Sequence, residues 1–258
     1  MQVWHMSGAG NDFAVIDARG LTPNFSALAL ELCKRLGCDG FMAVDDADDA
    51  DFRLHFYNAD GSRGEMCGNG ARCICRFAYD HGIAGERMTV RTDAGLVYGR
   101  RLAEDRYRVR LNEPSVLEPE RKGGIAYVEL GNPGVPHAVM EVPGLSFENR
   151  EDYRELGKSL RYDPAFPKGA NANLYTWIGE DEVRVLTYER GVEDFTQACG
   201  TGCGSVACVL HKLGRLPKCT LTAENEGGQL KVFLGAKRKA IVDILLEGSA
   251  TILNTFDL

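Results

Sequence analysis

Two cysteines carry the clearest chemical signal in this sequence. Residues 66 to 75 read M-C-G-N-G-A-R-C-I-C, and residues 198 to 208 read A-C-G-T-G-C-G-S-V-A-C. Each Cys-Gly-x-Gly run leads into a segment that reads as a helix, so each cysteine falls at a predicted helix start. There the unpaired amides and the positive end of the helix dipole favour the thiolate. The glycines that follow let backbone amides come close to a bound anion. If Cys67 and Cys199 face one cleft, a carboxylate held by both helix starts has a thiol on each side of its α-carbon. That arrangement suits racemisation. A thiolate removes a proton from one face, a thiol delivers one to the other, and the charge that grows on the carboxylate is stabilised by the amides.

The elements that must hold these cysteines repeat as well. Cys199 follows Cys67 by 132 residues, and the same offset relates Gly68 to Gly200, Gly70 to Gly202, Gly82 to Gly214 and Gly95 to Gly227. After each motif the pattern predicts a helix, ending at Gly82 or Gly214, and then a hairpin. A repeat this long implies two similarly folded halves rather than a solenoid. Upstream, residues 1–20 read as a strand, a tight loop and a second strand. The run 26–36 reads as a helix capped by Ser26 and stopped by Gly37, and 41–44 and 51–57 read as strands. The acidic run between those strands reads as a solvated loop. E-P-S-V-L-E-P-E-R-K-G-G at 113–124 reads as the boundary between the halves. The fold expected is α+β, each half a mixed, largely antiparallel sheet wrapped around one central helix. Residues 1–115 with 248–258 form the half carrying Cys67, and 116–247 the half carrying Cys199.

Bulk properties narrow the function classes. The chain has 258 residues, a net charge of -7, 44% hydrophobic and 26% charged residues. That balance fits a globular protein with a sizeable core and offers no basic surface for nucleic acid. No secretory leader or membrane-spanning apolar run is read, so the expected location is the cytoplasm. Nine cysteines, an odd number, argue for reduced thiols rather than a disulfide framework. Cys33, Cys75, Cys208 and Cys219 read as small core residues, whereas Cys73 and Cys203 are undecided. The spacings C-x5-C-x-C and C-x3-C lack the paired ligands of a zinc site, so no metal is expected. G-A-G-N-D-F has Phe13 where a dinucleotide fingerprint needs its third glycine, so no nucleotide cofactor is expected. A thiol-switch protein and a zinc module are the rival readings from other classes.

These residues resemble the diaminopimelate epimerase family of cofactor-independent, two-cysteine amino-acid epimerases and racemases. The resemblance runs through G-A-G-N-D-F (8–13), C-D-G-F (38–41), F-Y-N-A-D-G-S (56–62), M-C-G-N-G-A-R-C (66–73), G-N-P…P-H-A-V (131–139), N-A-N (171–173), Y-E-R-G (188–191) and Q-A-C-G-T-G (197–202). It implies two pseudo-symmetric halves, with the closing strand, 250–258, returning to the first. By the resemblance Cys67 and Cys199 are the acid and base, and Gly68, Asn69, Gly200 and Thr201 hold the reacting carboxylate. Asn11, Asn58, Asn132, Asn171, Glu189 and Arg190 hold the rest of the substrate, a guanidinium suiting a carboxylate. His137 and Glu189 tune the thiols. The implied reaction interconverts LL- and meso-2,6-diaminopimelate for lysine and peptidoglycan precursor synthesis. The alternative is a racemase of the same family acting on histidine or lysine. The implied partners are a small amino-acid substrate and a second copy of the chain, with no nucleic acid, membrane or cofactor. Two departures stand out. The family's G-N-P-H is here G-N-P-G-V-P-H, two residues longer, and E-R-G-V-E-D-F-T-Q-A-C is about one residue longer than the usual form.

Overall fold

The computed structural model describes residues 1–64, 67–237 and 240–258. Met66, which opens the first quoted cysteine motif, lies outside them. The chain divides into Met1–Arg110 with Glu247–Leu258, and Leu111–Leu246.

In the first unit the elements follow as β1 (Gln2–Gly8), β2 (Asn11–Asp17), α1 (Phe25–Leu36), β3 (Gly40–Asp45), β4 (Phe52–Asn58), α2 (Gly68–Asp80), β5 (Arg87–Thr92), β6 (Gly95–Arg101) and β7 (Arg106–Leu111). The second continues with β8 (Pro114–Lys122), β9 (Ile125–Gly131), β10 (Gly134–Glu141), α3 (Arg154–Arg161), β11 (Asn171–Trp177), β12 (Glu182–Glu189) and β13 (Asp194–Thr196). There follow α4 (Gly200–Lys212), β14 (Thr220–Asn225), β15 (Gly228–Lys237), β16 (Ala240–Ser249) and, back in the first unit, β17 (Thr251–Asp257).

Each unit repeats one pairing order. In the first, β1/β2 is antiparallel, β2/β3 parallel, β3/β4 antiparallel, β4/β5 parallel and β5/β6 antiparallel. In the second, β9/β10, β10/β11, β11/β12, β12/β14 and β14/β15 alternate in the same way. A parallel pair cannot be joined by a tight turn, so a helix fills each crossover: α1 and α2 in the first unit, α3 and α4 in the second. The fold is therefore α+β, two units of mixed sheet. The closing strand β17 runs antiparallel to β1.

The helices divide the sheet faces. α1 buries Ala29, Leu32 and Cys33 against Val3, Ala14, Ile16, Phe41 and Ala43. α3 brings Leu160 to Ala138, Ala172, Leu174, Leu186 and Tyr188 in the same way. On the opposite faces lie α2 and α4, which are buried almost all round, as central helices must be. Burying Ile74 and Phe77 alone stabilises α2 by about 1.5–3 kcal/mol each.

The structure corrects several local expectations. Asn24, not Ser26, caps α1, accepting from the Ala27 amide at 3.1 Å, while the Ser26 hydroxyl donates to Gly61 O. Gly37 does stop α1 in a left-handed conformation. Residues 114–122, inside the stretch read as the boundary between the halves, form β8, antiparallel to β9 with an irregular register. The turn glycine matching Gly95 is Gly228 rather than Gly227, since Thr92 pairs with Gly95 and Asn225 with Gly228. Cys33, Cys75 and Cys208 are core residues, as are Cys73 and Cys203, but Cys219 is only half-buried. It sits in the turn before β14, with Sγ 3.5 Å from Nδ1 of His211. Among the described residues, no helix is long and apolar enough to cross a membrane.

Candidate active site

In the first unit Cys67 is the N-cap residue of α2, extended in backbone and half-buried, and its carbonyl accepts the Ala71 amide at 2.8 Å. Gly68 and Asn69 follow it, both buried. The Asn69 side chain is fixed at both ends: its Nδ2 donates to Asn11 Oδ1 at 2.5 Å, and its Oδ1 accepts from Arg72 Nη2 at 2.9 Å. Arg72 is fully buried, and its guanidinium also donates to the carbonyls of Gly68 and Ser249. Asn11 in turn donates to Asp39 Oδ2 at 3.3 Å, an oxygen that also takes the Asp12 amide at 2.9 Å. The row Arg72, Asn69, Asn11, Asp39 thus holds the start of α2 against the β1–β2 hairpin. Gly8 permits this approach, because a Cβ there would stand 2.7 Å from the Asn69 carbonyl oxygen. Asn58 ends β4 in an exposed turn and donates to Ser62 Oγ at 3.0 Å.

In the second unit Cys199 is the N-cap of α4 and is 7% exposed. Its Sγ accepts the Gly202 amide at 3.4 Å and lies 3.5 Å from the Thr201 hydroxyl. The helix start was expected to depress this thiol's pKa, and those two hydrogen bonds do lower it. Burial acts more strongly, the negative charge of Glu189 adds to it, and the net result is a pKa well above the usual thiol range. Cys199 is therefore a protonated thiol near neutral pH.

A polar row lies on the sheet face that α4 covers. In β11, Asn171 and Asn173 point to that face, being two residues apart. The Asn173 Oδ1 accepts the Thr187 hydroxyl at 3.0 Å, which turns its Nδ2 toward Nδ1 of His137, 3.1 Å away. Nδ1 is therefore the acceptor and Nε2 carries the proton. His137 is fully buried, and burial with the nearby Arg190 charge pulls its pKa down to about 3, so the ring is neutral. Its Nε2 is buried with no hydrogen-bond partner among the described residues. Asn171 donates to the Pro136 carbonyl at 3.2 Å and accepts the Arg190 amide at 2.8 Å. Glu189 accepts from the Thr196 hydroxyl at 2.9 Å, and the exposed Arg190 side chain donates to the Lys168 carbonyl at 3.1 Å.

The structure thus brings Cys199, Gly200, Thr201, Glu189, His137, Asn171 and the Arg190 backbone into one cluster in the second unit. In the first it brings together Cys67, Gly68, Asn69 and Asn11. Asn58, in its exposed turn, and Asn132 join neither group: Asn132 is exposed on the β9–β10 turn, beyond the last pair Gly131↔Gly134. Sequence reading assigned no role to Arg72, Asp39, Asn173, Thr187 or Thr196. An arginine inside a segment patterned as a buried helix was the available signal for Arg72, and the i, i+2 asparagines that for Asn173. Chemically, a buried protonated thiol beside a carboxylate and helix amides can deliver a proton to a carbon acid whose anion the amides hold.

The chain is similar to known proteins over most of its length. The diaminopimelate epimerase family model matches residues 3–115 and 130–253. A diaminopimelate epimerase of Aquifex aeolicus is 36% identical over 251 residues, covering 89% of this chain and 88% of its own. One of Archaeoglobus fulgidus is 34% identical with the same coverage. Among solved structures, a PhzF-family phenazine biosynthesis protein of Bacillus anthracis aligns with a TM-score of 0.77 at 14% identity, covering 100% of this chain and 98% of its own. A probable proline racemase of Agrobacterium radiobacter K84 aligns at 0.68 and 17%, covering 100% and 92%. Those two likenesses show a shared fold. The family match spans both cysteine-led helices, and the chain belongs to the diaminopimelate epimerase family, whose members are isomerases.

Proposed function

We propose that the protein interconverts LL- and meso-2,6-diaminopimelate by two-thiol proton transfer at the α-carbon, without metal or organic cofactor. The observation that carries this reading is that Cys67 and Cys199 are each the N-cap of the buried helix of their own unit. One thiolate takes the α-proton and becomes a thiol. The electron pair left on carbon delocalises into the carboxylate, and the opposite thiol gives its proton to the other face and becomes the thiolate. The two sulfurs hold one proton between them before and after the step and two while the electron pair is delocalised, so the reverse reaction exchanges their roles. Cys199, kept protonated by burial, is the donor in the resting enzyme, which leaves Cys67 as base.

Gly68, Asn69, Gly200 and Thr201 hold the reacting carboxylate through backbone amides, where negative charge grows in the transition state. Asn11, Asn58, Asn171, Glu189 and Arg190 hold the remainder. His137 and Glu189 set the proton affinity of Cys199, Glu189 by its charge. The enzyme works in the cytoplasm as a homodimer, in lysine and peptidoglycan precursor synthesis. The test is incubation of LL-diaminopimelate with the protein in deuterated buffer, followed by NMR and chiral chromatography. Loss of the α-proton signal together with appearance of the meso isomer is expected; unchanged substrate overturns the reading.

A second reading is favoured by the lengthened β9–β10 hairpin: the same chemistry on another amino acid, such as histidine or lysine. A panel of amino acids in deuterated buffer separates the two, since only true substrates exchange.

A further inference from the structure

The two units build the same hairpin with different tips. In the first, the pair nearest the tip on the face toward α2 is Gly8↔Asn11, and two residues, Ala9 and Gly10, turn the chain. In the second, Leu130 faces α4, lying near Gly204, and its cross-strand partner is Val135. Four residues, Gly131 to Gly134, separate that pair and Gly131 itself pairs with Gly134, so the hairpin is longer by one pair, with Asn132 and cis-Pro133 as its two-residue turn.

The neighbouring strands give the same match independently. Phe13 pairs with Gly40, the first residue of β3, and His137 pairs with Asn171, the first residue of β11. Counting back two residues from each reaches Asn11 and Val135. The two-residue extension therefore leaves His137 in place, moves the Asn-Pro pair out to the exposed turn and leaves valine on the face that carries His137. Where the first unit sets Asn11 against Asn69 at the helix start, the second has a half-buried isopropyl group.

We propose that Val135, and not Asn132, is the residue of this hairpin that meets substrate, and that it packs on the aliphatic chain of an amino acid. A valine side chain offers no donor or acceptor, so the substrate atoms against it are methylenes. The polar end of the substrate is left to Asn171, Glu189 and Arg190. This rests on the proposed epimerase activity for its reaction.

The test is steady-state kinetics of Asn132→Ala, Val135→Ala and Val135→Thr, each beside its thermal midpoint, on whichever amino acid the wild type exchanges in the panel. With Asn132→Ala, kcat and KM should stay within about twofold. With Val135→Ala, KM should rise about five- to tenfold, as expected when two methyl groups leave an apolar contact, with kcat within about twofold. Val135→Thr keeps the shape and should raise KM severalfold at an unchanged midpoint. A KM raised fivefold by Asn132→Ala, or unmoved by both Val135 variants, overturns the proposal. Wild-type exchange of histidine or lysine but not diaminopimelate would sink the diaminopimelate reading, while the Asn132 and Val135 comparison would still decide this one.

Discussion

The amide nitrogen of Asn173 lies 3.1 Å from Nδ1 of His137, and its oxygen accepts the Thr187 hydroxyl at 3.0 Å. A hydroxyl on β12 therefore holds the oxygen of an amide on β11, whose nitrogen donates to the Ala138 and Asn171 carbonyls at 3.0 Å and faces a histidine on β10. Thr187→Val removes the donor and leaves the amide oxygen buried without it. The expected cost is about 1–3 kcal/mol of stability, read as a lower urea midpoint, with a fall in kcat larger than any change in KM. Thr187→Ser, which keeps the hydroxyl, should recover most of both. Equal stability and kcat in Thr187→Val would show that the row does not orient the ring.

His137 makes stability depend on pH. Its ring is held neutral in the fold, with the pKa lowered from 6.5 to about 3. The unfolded chain takes up a proton that the folded chain refuses, so this stabilisation is complete above pH 6.5 and is lost as pH falls toward 3. Its slope is about 1.4 kcal/mol per pH unit. Urea unfolding between pH 6.5 and 4 should show that slope in the wild type and a shallower one in His137→Gln. Parallel slopes would contradict the assignment.

Arg72 ties Asn69 to the carbonyls of Gly68 and Ser249 from a fully buried position. Arg72→Met keeps most of the volume but leaves three acceptors without their guanidinium donor. A loss of about 2–4 kcal/mol is expected, together with a raised KM, because Asn69 loses its anchor. Thermal unfolding and steady-state kinetics check the two effects, and an unchanged KM would remove Arg72 from the positioning of the helix start.

Gly8→Ala tests the closeness of hairpin and helix. Its Cβ would stand 2.7 Å from a backbone oxygen of α2 and 3.0 Å from Cys73 Sγ, so backbone must move. About 1–3 kcal/mol should be lost, the usual range for overpacking, and activity should fall at temperatures where the variant remains folded. Gly85→Ala serves as the reference for glycine loss alone, since nothing lies within 4 Å of its added Cβ and its backbone is not left-handed.

What could be read from the letters was what local chemistry decides. Cys67 and Cys199 as helix starts, Gly37 as a helix stop and the matched hairpins followed from short-range rules of capping and turn residues. What could not be read depended on distant chain. Pro114, Pro119 and the glycines after Lys122 read as a boundary and gave no sign of a strand, yet 114–122 pairs with β9, with Pro119 inside an interrupted stretch of the register. The Cys199 thiol was expected to be acidic because the helix end is a local feature, whereas the burial that reverses the shift comes from packing. Asn132 sits in a G-N-P motif that looks like the family's, and only strand register shows that Val135 holds the place in its hairpin that Asn11 holds in the first. Arg72 reaches Ser249, Asp39 reaches Asn11 and Thr187 reaches Asn173, partners 177, 28 and 14 residues away in sequence, which no short window reveals.

The central claim is that both sulfurs move the α-proton. Its most direct measurement is wash-in of solvent deuterium at the α-carbon of diaminopimelate, comparing wild type with Cys67→Ala and Cys199→Ala after each variant is shown to be folded. The account predicts exchange with inversion in the wild type and loss of epimerisation by several orders of magnitude in both variants. Inversion at near wild-type rate in either variant would contradict it.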